Sequence, residues 1–156
     1  MEKGAIQKVG KRYQLWRIWD QSRPLVLFIL LNPSLGDAEK DDPTIRRLCS
    51  FSKKYGFGGF YIGNLYSTVT PYPKTLYEKQ PQIEKENIQQ LKRMIDATEQ
   101  IVFAWGNTEN TPNWLIPLVD EAWCFGINQN GSPKHPLYLP NATQLMRYRF
   151  KENTKP

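Results

Sequence analysis

Small polar residues follow or interrupt the apolar runs of this sequence, and their types suit the binding of a small polar ligand. The set comprises Asn32, Pro33 and Ser34 after the first run, Asn64 inside the second, Trp105 and Gly106 after the third, and the single histidine, His135. An amide offers both a donor and an acceptor, and an imidazole changes charge near neutral pH. These residues predict a polar site if the fold brings them together.

Each of these residues also has a purely structural interpretation. An asparagine before proline suits a turn, so Asn32 fits ordinary turn chemistry. Asn64 interrupts an apolar stretch, where a buried amide needs partners that the neighbouring backbone can supply. A lone histidine is more often structural than catalytic, although His135 lies in the proline-rich segment 131–140, which is rigid enough to hold it. The residues alone leave both interpretations open.

Apolar patterning predicts the elements that position this set. Continuous apolar runs predict four buried strands, at 24–32, 59–67, 100–107 and 123–128. An aromatic-rich stretch predicts one more strand, at 12–20. Helical patterns occur at 41–56, 80–98 and, shorter, 111–122. Asp42 suits the N-cap of the first helix, Pro43 its first position, and Gly56 its end.

The alternation of strands and helices predicts the fold class. We expect one domain over residues 1–156, a three-layer α/β/α sandwich with a central, mostly parallel four-stranded sheet. The segment 143–156 is predicted to form a short helix and a frayed tail from about residue 151. Ligands of such folds bind beyond the carboxyl ends of the strands, where the polar set is expected to gather.

Composition is typical of a soluble globular protein and permits a polyanionic partner. The 156 residues carry a formal net charge of +6, which permits nucleic acid as a partner. The first residues lack the apolar core of a signal peptide, and no apolar run approaches the ~20 residues of a membrane span. We therefore predict a cytoplasmic protein without membrane contact, whose two cysteines, Cys49 and Cys124, are buried thiols.

Familiar catalytic motifs are absent from the sequence. The glycines at 56–59 lack the spacing and the following Lys-Ser/Thr of a phosphate-binding loop, and no serine nucleophile elbow occurs. A single histidine excludes a histidine-rich metal centre. We predict neither a metal nor a cofactor, with the carboxylates of 37–42 as a minor option for magnesium.

Four blocks of the chain resemble a family of small bacterial and phage proteins known as a domain of unknown function. The blocks are "LNPS…DAEKDDPTIRR", "YGFGGFYIGNLYS", "FAWGN" and "SPKHPLYLP". The "DDPTIRR" block is the most specific of them. This resemblance implies a family and no activity.

A more distant resemblance is to the uracil-DNA glycosylase superfamily. That superfamily has a strand ending in Asp-Pro or Asn-Pro, a strand bearing Asn, a strand end containing Trp-Gly and a loop containing His-Pro, in that order. The corresponding blocks here are "FILLNPS", "FYIGNLYSTVT", "IVFAWGN" and "KHPLYLP". The resemblance implies a uracil-DNA glycosylase-like fold and recognition of a base flipped out of DNA.

Roles follow from the resemblance residue by residue. Asn32, with Pro33, would position a hydrolytic water, although an amide cannot take its proton as an aspartate would. Asn64 would read the edge of the base, and His135 would donate to a base carbonyl oxygen. Ser34, Trp105 and Gly106 would line the pocket or meet phosphate. Leu137 or Leu139 would either fill the gap left by the base or belong to the core.

The leading hypothesis is a DNA glycosylase that hydrolyses the N-glycosidic bond of a damaged, mismatched or modified base. Its contacts to DNA would come from basic residues, namely Lys53, Lys54, Lys134, Arg147 and Arg149. One alternative is an enzyme acting on free nucleosides or nucleotides. The other is a non-catalytic module that binds nucleic acid or protein, which the asparagine in place of a catalytic aspartate favours.

Overall fold

The computed structural model describes residues 1–34, 36–70 and 83–151 and shows a mixed α/β fold. The strands are β1 (Glu2–Lys8), β2 (Lys11–Ile18), β3 (Leu25–Leu30), β4 (Gly59–Asn64), β5 (Gln100–Phe103), β6 (Ala122–Cys124) and β7 (Met146–Tyr148). The helices are α1 (Pro43–Lys54) and α2 (Lys85–Ala97). Across the described residues the sheet order is β1-β2-β4-β3-β5-β6-β7.

The predicted parallel core is confirmed, but the predicted number of strands is wrong. Strands β4, β3, β5 and β6 are the four expected strands and run parallel. The aromatic-rich stretch 12–20, predicted as a strand, is β2, which lies between β4 and β1. Strands β1, β2 and β7 are antiparallel to their neighbours and bring the sheet to seven strands in the described part of the chain. Strand β1 is mostly exposed and β7 has three residues, so neither carries a clear apolar alternation.

Two hydrophobic clusters lie on opposite faces of this sheet. On one face α1 contributes Ile45, Leu48 and Phe51 to a cluster with alternate residues of β3, such as Val26 and Phe28. On the other face α2 packs Leu91 and Met94 against Leu27 and Ile29. Successive strand residues point to opposite faces, so the continuous apolar run of β3 is buried on both sides.

Helix α1 begins and ends where the sequence predicts. Asp42 is the N-cap, and its Oδ1 accepts the backbone N–H of Ile45 at 2.8 Å. Pro43 lies in the first turn, where a missing N–H costs no helical hydrogen bond. Gly56 follows the helix with φ 80°, a left-handed conformation that glycine adopts with the least strain.

Two predictions about the C-terminal third are wrong. The helix expected at 111–122 is a single 3₁₀ turn at Ile116–Leu118, since Pro117 removes a helical donor. The helix expected from residue 143 is replaced by β7, whose pairing with β6 the local pattern does not reveal. The tail 152–156 and residues 80–82 of the predicted second helix lie outside the described residues.

Both cysteines are free, with Cys124 buried and Cys49 half-buried. Within the described ranges, no helix combines the length and the apolar character needed to cross a membrane.

Candidate functional site

The carboxyl ends of the parallel strands lie at one edge of the sheet. Leu30 of β3 pairs with Asn64 of β4, and Ile29 pairs with Phe103 of β5, so the three strands end at nearly the same level. The backbone of Gly106 then donates to the carbonyl of Pro133 at 2.9 Å, which fastens the histidine-bearing loop to the end of β5. Sheet topology thus gathers segments that are about 100 residues apart in the chain.

A cavity of about 360 Å³ opens at this edge, a volume in the range of small-molecule sites. Six of the predicted site residues line it, namely Asn32, Ser34, Trp105, Gly106, His135 and Leu137. Three threonines, which the sequence analysis did not single out, also line it, namely Thr44, Thr70 and Thr108. Asn64 and Pro33 lie in an adjoining recess that shares Asn32 and Ser34 with the cavity.

Asn32 holds the loop after β4 against the loop after β3. Its Nδ2 donates to the carbonyl of Thr70 at 2.7 Å and to that of Pro33 at 3.0 Å. Only an amide nitrogen can donate to two carbonyl oxygens, so these contacts distinguish Nδ2 from Oδ1. Asn32 therefore has the structural role that its sequence context allows, and it also lines the cavity.

His135 is a neutral hydrogen-bond donor in this structure. Its Nδ1 accepts the backbone N–H of Leu137 at 3.1 Å, so the ring proton of the neutral form lies on Nε2. Burial lowers the pKa of His135 to about 4, and the charge of Asp42 opposes that shift only in part. At neutral pH the imidazole is therefore uncharged and offers an N–H, not a labile proton.

Trp105 and Gly106 shape the wall between β5 and the histidine loop. Trp105 is buried, its Nε1 donates to the carbonyl of Glu109 at 2.7 Å, and its ring packs on Phe103. Gly106 has φ 94°, and a Cβ there would approach Cβ of His135 to 3.4 Å. Glycine at this position therefore permits a backbone turn that lies close to the imidazole.

Two buried arginines of β2 hold the segment 36–42 beside the cavity, and sequence reasoning missed both. Arg12 and Arg17 are 5% and 0% exposed. Arg12 donates through Nη1 to the carbonyl of Gly36, and Arg17 donates through Nε to Asp41 at 3.0 Å. Arg12 and Arg17 are an odd number of residues apart, so in a regular strand their side chains would point to opposite faces of the sheet. A register shift between β1 and β2 lets both side chains reach the same segment. Two arginines inside an otherwise apolar and aromatic strand were the available signal.

Asp42 joins that segment to α1. Its Oδ2 accepts from Ser34 Oγ at 2.5 Å and from the backbone of Gly36 at 3.1 Å, while Oδ1 caps the helix. Burial works against ionisation of Asp42, but the hydrogen bonds from Ser34, Ile45 and Gly36 outweigh it and lower its pKa. The carboxylate is thus a fixed anion that positions the cavity wall.

The loop 136–145 is fastened to α1 and presents one exposed aromatic ring. Arg47 donates to the carbonyl of Leu139 and stacks on Phe51 at 4.7 Å, and Tyr55 Oη donates to the carbonyl of Thr143 at 2.7 Å. Between these contacts Tyr138 is 96% exposed and adopts φ 67°, which is strained for a residue with a side chain. No local pattern indicates that Tyr138, rather than Leu137 or Leu139, is the exposed residue.

The predicted contacts to DNA do not lie together. Lys134 and Leu137 belong to the histidine loop, and Leu139 packs partly against the α1 cluster. Arg147 pairs with Glu121 at 3.2 Å and lines, with Arg149, a separate groove along β7. Lys53 lies over the ring of Trp19, and Lys54 donates to the carbonyl of Asn141.

The acidic segment 37–42 is occupied by its own contacts. Asp37 Oδ1 accepts the backbone N–H groups of Glu39 and Lys40, Asp41 pairs with Arg17, and Asp42 caps α1. Over the described ranges, no group of three or more His, Cys, Asp or Glu side chains is placed to hold a metal ion.

Fold and site together define an α/β protein with a ligand cavity at the carboxyl edge of its parallel strands. The chain belongs to the family described as protein of unknown function (DUF1643), whose model matches residues 12–137. This confirms the resemblance to a domain of unknown function. No curated protein and no solved structure matches the chain.

The strain at Tyr138 leads to a prediction about stability. Tyr138→Gly is expected to raise the free energy of unfolding by about 0.5–1 kcal/mol, because the relief of the left-handed strain exceeds the entropy that glycine adds to the unfolded chain. The exposed ring has little packing to lose. Urea denaturation measures the change, and Tyr138→Ala is the matched control, since it removes the ring but keeps the strained Cβ. Equal stability of the two variants would show that the backbone conformation is not strained.

Proposed function

We propose that the cavity binds a nucleobase flipped out of DNA and that the protein hydrolyses the N-glycosidic bond of that base. The observation that carries the proposal is that Asn32, Trp105, Gly106 and His135, from three separate segments, line one cavity with Asn64 in the adjoining recess. Amide and imidazole groups in a small cavity with an aromatic wall suit a planar polar heterocycle.

His135 has the protonation state that departure of a base requires. A neutral imidazole with its proton on Nε2 donates a hydrogen bond to a carbonyl oxygen of the base as negative charge develops there. The hydrogen bond from Leu137 to Nδ1 holds this tautomer. In this proposal His135 acts by stabilising charge, and it is not a proton donor at neutral pH.

Asn32 would orient the attacking water through Oδ1. Nδ2 donates to two backbone carbonyls, which identifies the other atom of the amide as Oδ1 and fixes its position. The water's oxygen bonds to the sugar carbon as the base departs with the bonding electron pair, and the water's proton passes to the departed base or to solvent. Because an amide does not accept that proton, we expect slow turnover compared with an enzyme that has a carboxylate at this position. Tyr138, next to the cavity-lining Leu137, would fill the gap in the base stack with its exposed ring.

The experiment is release of free base from duplexes that contain uracil, mismatched or modified bases. His135→Asn is expected to lower the rate of release by ~10²-fold, because its shorter side chain keeps an acceptor for Leu137 but loses the Nε2 donor. Asn107→Ala is the control, since Asn107 is an exposed asparagine of the loop after β5, next to Gly106, and does not line the cavity. Equal rates for both variants, or no release from any duplex by the folded protein, would contradict the proposal.

The second candidate function is base binding without catalysis. The observation in its favour is that no carboxylate occurs among the described residues that line the cavity. The same duplexes would then bind in a manner that depends on His135, but no base would be released. A binding constant for these duplexes that falls steeply with salt would indicate contacts to the phosphate backbone, whereas a flat dependence would indicate that the protein contacts the base and not the backbone.

A further inference from the structure

A groove between α1 and the loop 136–145 is lined by two cations. Its volume is about 160 Å³, well above the ~30 Å³ that one water molecule occupies. Arg47 and Lys54 of α1 line it together with Ser50, Phe51 and Asn141, and the described lining contains no carboxylate. Within the part of the chain that the structure describes, no ion pair joins either cation to an acidic side chain. The groove is therefore electropositive.

Asn141 brings the two positive charges together. Arg47 Nη1 donates to Asn141 Oδ1, and Lys54 Nζ donates to the backbone carbonyl of the same residue at 2.6 Å. Two like charges that contact one residue repel each other, and an anion bound beside both relieves the repulsion. The groove thus suits an anion better than a neutral or cationic ligand.

The guanidinium of Arg47 is held in position by the protein itself. Three of its five N–H groups donate, to the carbonyls of Pro136 and Leu139 and to the side chain of Asn141. The described contacts leave two N–H groups of Arg47 and two of Lys54 for a further acceptor. Phosphate oxygens are strong acceptors for such charged donors, and the fixed plane of a guanidinium gives the contact a direction.

The loop 136–145 places this groove close to the main cavity. Leu137 lines the cavity, and Asn141, four residues later, lines the groove. Four residues span at most about 14 Å, whereas one strand of duplex DNA carries a negative charge every ~3.4 Å along the helix axis. A strand that presents a base to the cavity therefore has several phosphates within reach of the groove.

We propose that the groove of Arg47 and Lys54 binds a backbone phosphate of the DNA strand whose base enters the cavity. Arg47 donates in a fixed direction to the phosphate, and Lys54 supplies the second positive charge. The groove adds affinity without reading sequence, because every nucleotide carries the same phosphate. The choice of DNA as the source of the phosphate rests on the proposed function.

The test compares the salt dependence of DNA binding by variants of the full chain. Lys54→Gln is expected to make the slope of log K against log salt shallower by about 0.9, the value of one phosphate contact in duplex DNA. Lys92→Gln is the matched control, since it removes the same charge from an exposed position of α2 and is expected to leave the slope unchanged. A uracil-containing duplex and the same duplex without uracil should show the same difference.

A second pair of variants places a negative charge instead of removing a positive one. Asn141→Asp keeps an acceptor for Arg47 but puts a carboxylate where the two cations meet, so the slope is again expected to become shallower. Gln89→Glu adds the same charge to an exposed position of α2 and is expected to leave the slope unchanged. Urea denaturation of all four variants verifies that each is folded.

Equal slopes for Lys54→Gln and Lys92→Gln, or for Asn141→Asp and Gln89→Glu, would overturn the inference. If inorganic phosphate shifts the NMR signal of the Asn141 amide but the slopes are equal, the groove binds a free anion and not a DNA strand. Base release is measured separately with the same duplexes. A change of slope without release would support the groove and contradict glycosidic hydrolysis, whereas release with equal slopes would support hydrolysis and contradict the groove.

Discussion

Asp42→Ala is expected to lower the free energy of unfolding by about 3 kcal/mol, because it removes an N-cap and two further hydrogen bonds at once. The side chain accepts from Ile45, Gly36 and Ser34. Its loss also leaves Arg12, which is 5% exposed, without the carboxylate that does most to oppose the lowering of its pKa by burial. An uncompensated charge in that position adds to the cost. Urea denaturation at neutral pH measures the change.

The matched control for Asp42→Ala is Asp120→Ala. Asp120 is exposed, and its replacement is expected to change stability by no more than ~0.5 kcal/mol. Asp42→Asn separates the two causes, because the amide oxygen can still cap α1 while the charge is lost. A loss below about 1 kcal/mol for Asp42→Ala would mean that the loop 34–42 is not held through this carboxylate.

Acid is expected to destabilise the protein through His135 between about pH 6.5 and pH 4. Burial lowers the pKa of His135 to about 4, whereas the unfolded chain has the ordinary value of 6.5. In that window the unfolded state binds the proton and the folded state does not, so the free energy of unfolding falls as pH falls and levels off below about 4. The size is about 3 kcal/mol. Urea denaturation at a series of pH values measures it.

His135→Asn isolates this effect from the titration of carboxylates. The variant keeps an acceptor for the Leu137 N–H but does not titrate, so its stability is expected to be nearly flat between pH 6.5 and pH 5. Asp42, whose pKa is lowered, contributes stability that is lost only at lower pH, as pH falls through its folded-state pKa. Parallel curves for wild type and His135→Asn would contradict a half-buried histidine that is uncharged at neutral pH.

The sequence predicted the central parallel strands and α1 because their signals are local. A continuous apolar run such as 25–31 predicts a strand covered on both faces, and Asp42-Pro43 with Gly56 predicts where a helix begins and ends. Strands β1 and β7, at the two edges of the sheet, escaped prediction because pairing, and not local pattern, makes them strands. Strand β7 has only three residues, and β1 is largely exposed.

The sequence predicted only part of the candidate site. Polar residues at the ends of parallel strands meet by topology, and Asn32 and His135 do line one cavity. Arg12 and Arg17 were missed because their structural role depends on contacts with segments 20 or more residues away. Arg12 and Arg17 are recognisable as buried charges only once Gly36 and Asp41 lie beside them.

The sequence by itself determined which residue types lie at the strand ends, where α1 is capped, and the family to which the chain belongs. Only the tertiary structure decided that Asn64 lies in a recess behind Asn32, that His135 is neutral, and that Tyr138 is exposed. Burial, tautomer and backbone strain depend on which distant segments surround a residue. The order of strands in the sheet determines those neighbours, and no local sequence pattern specifies that order.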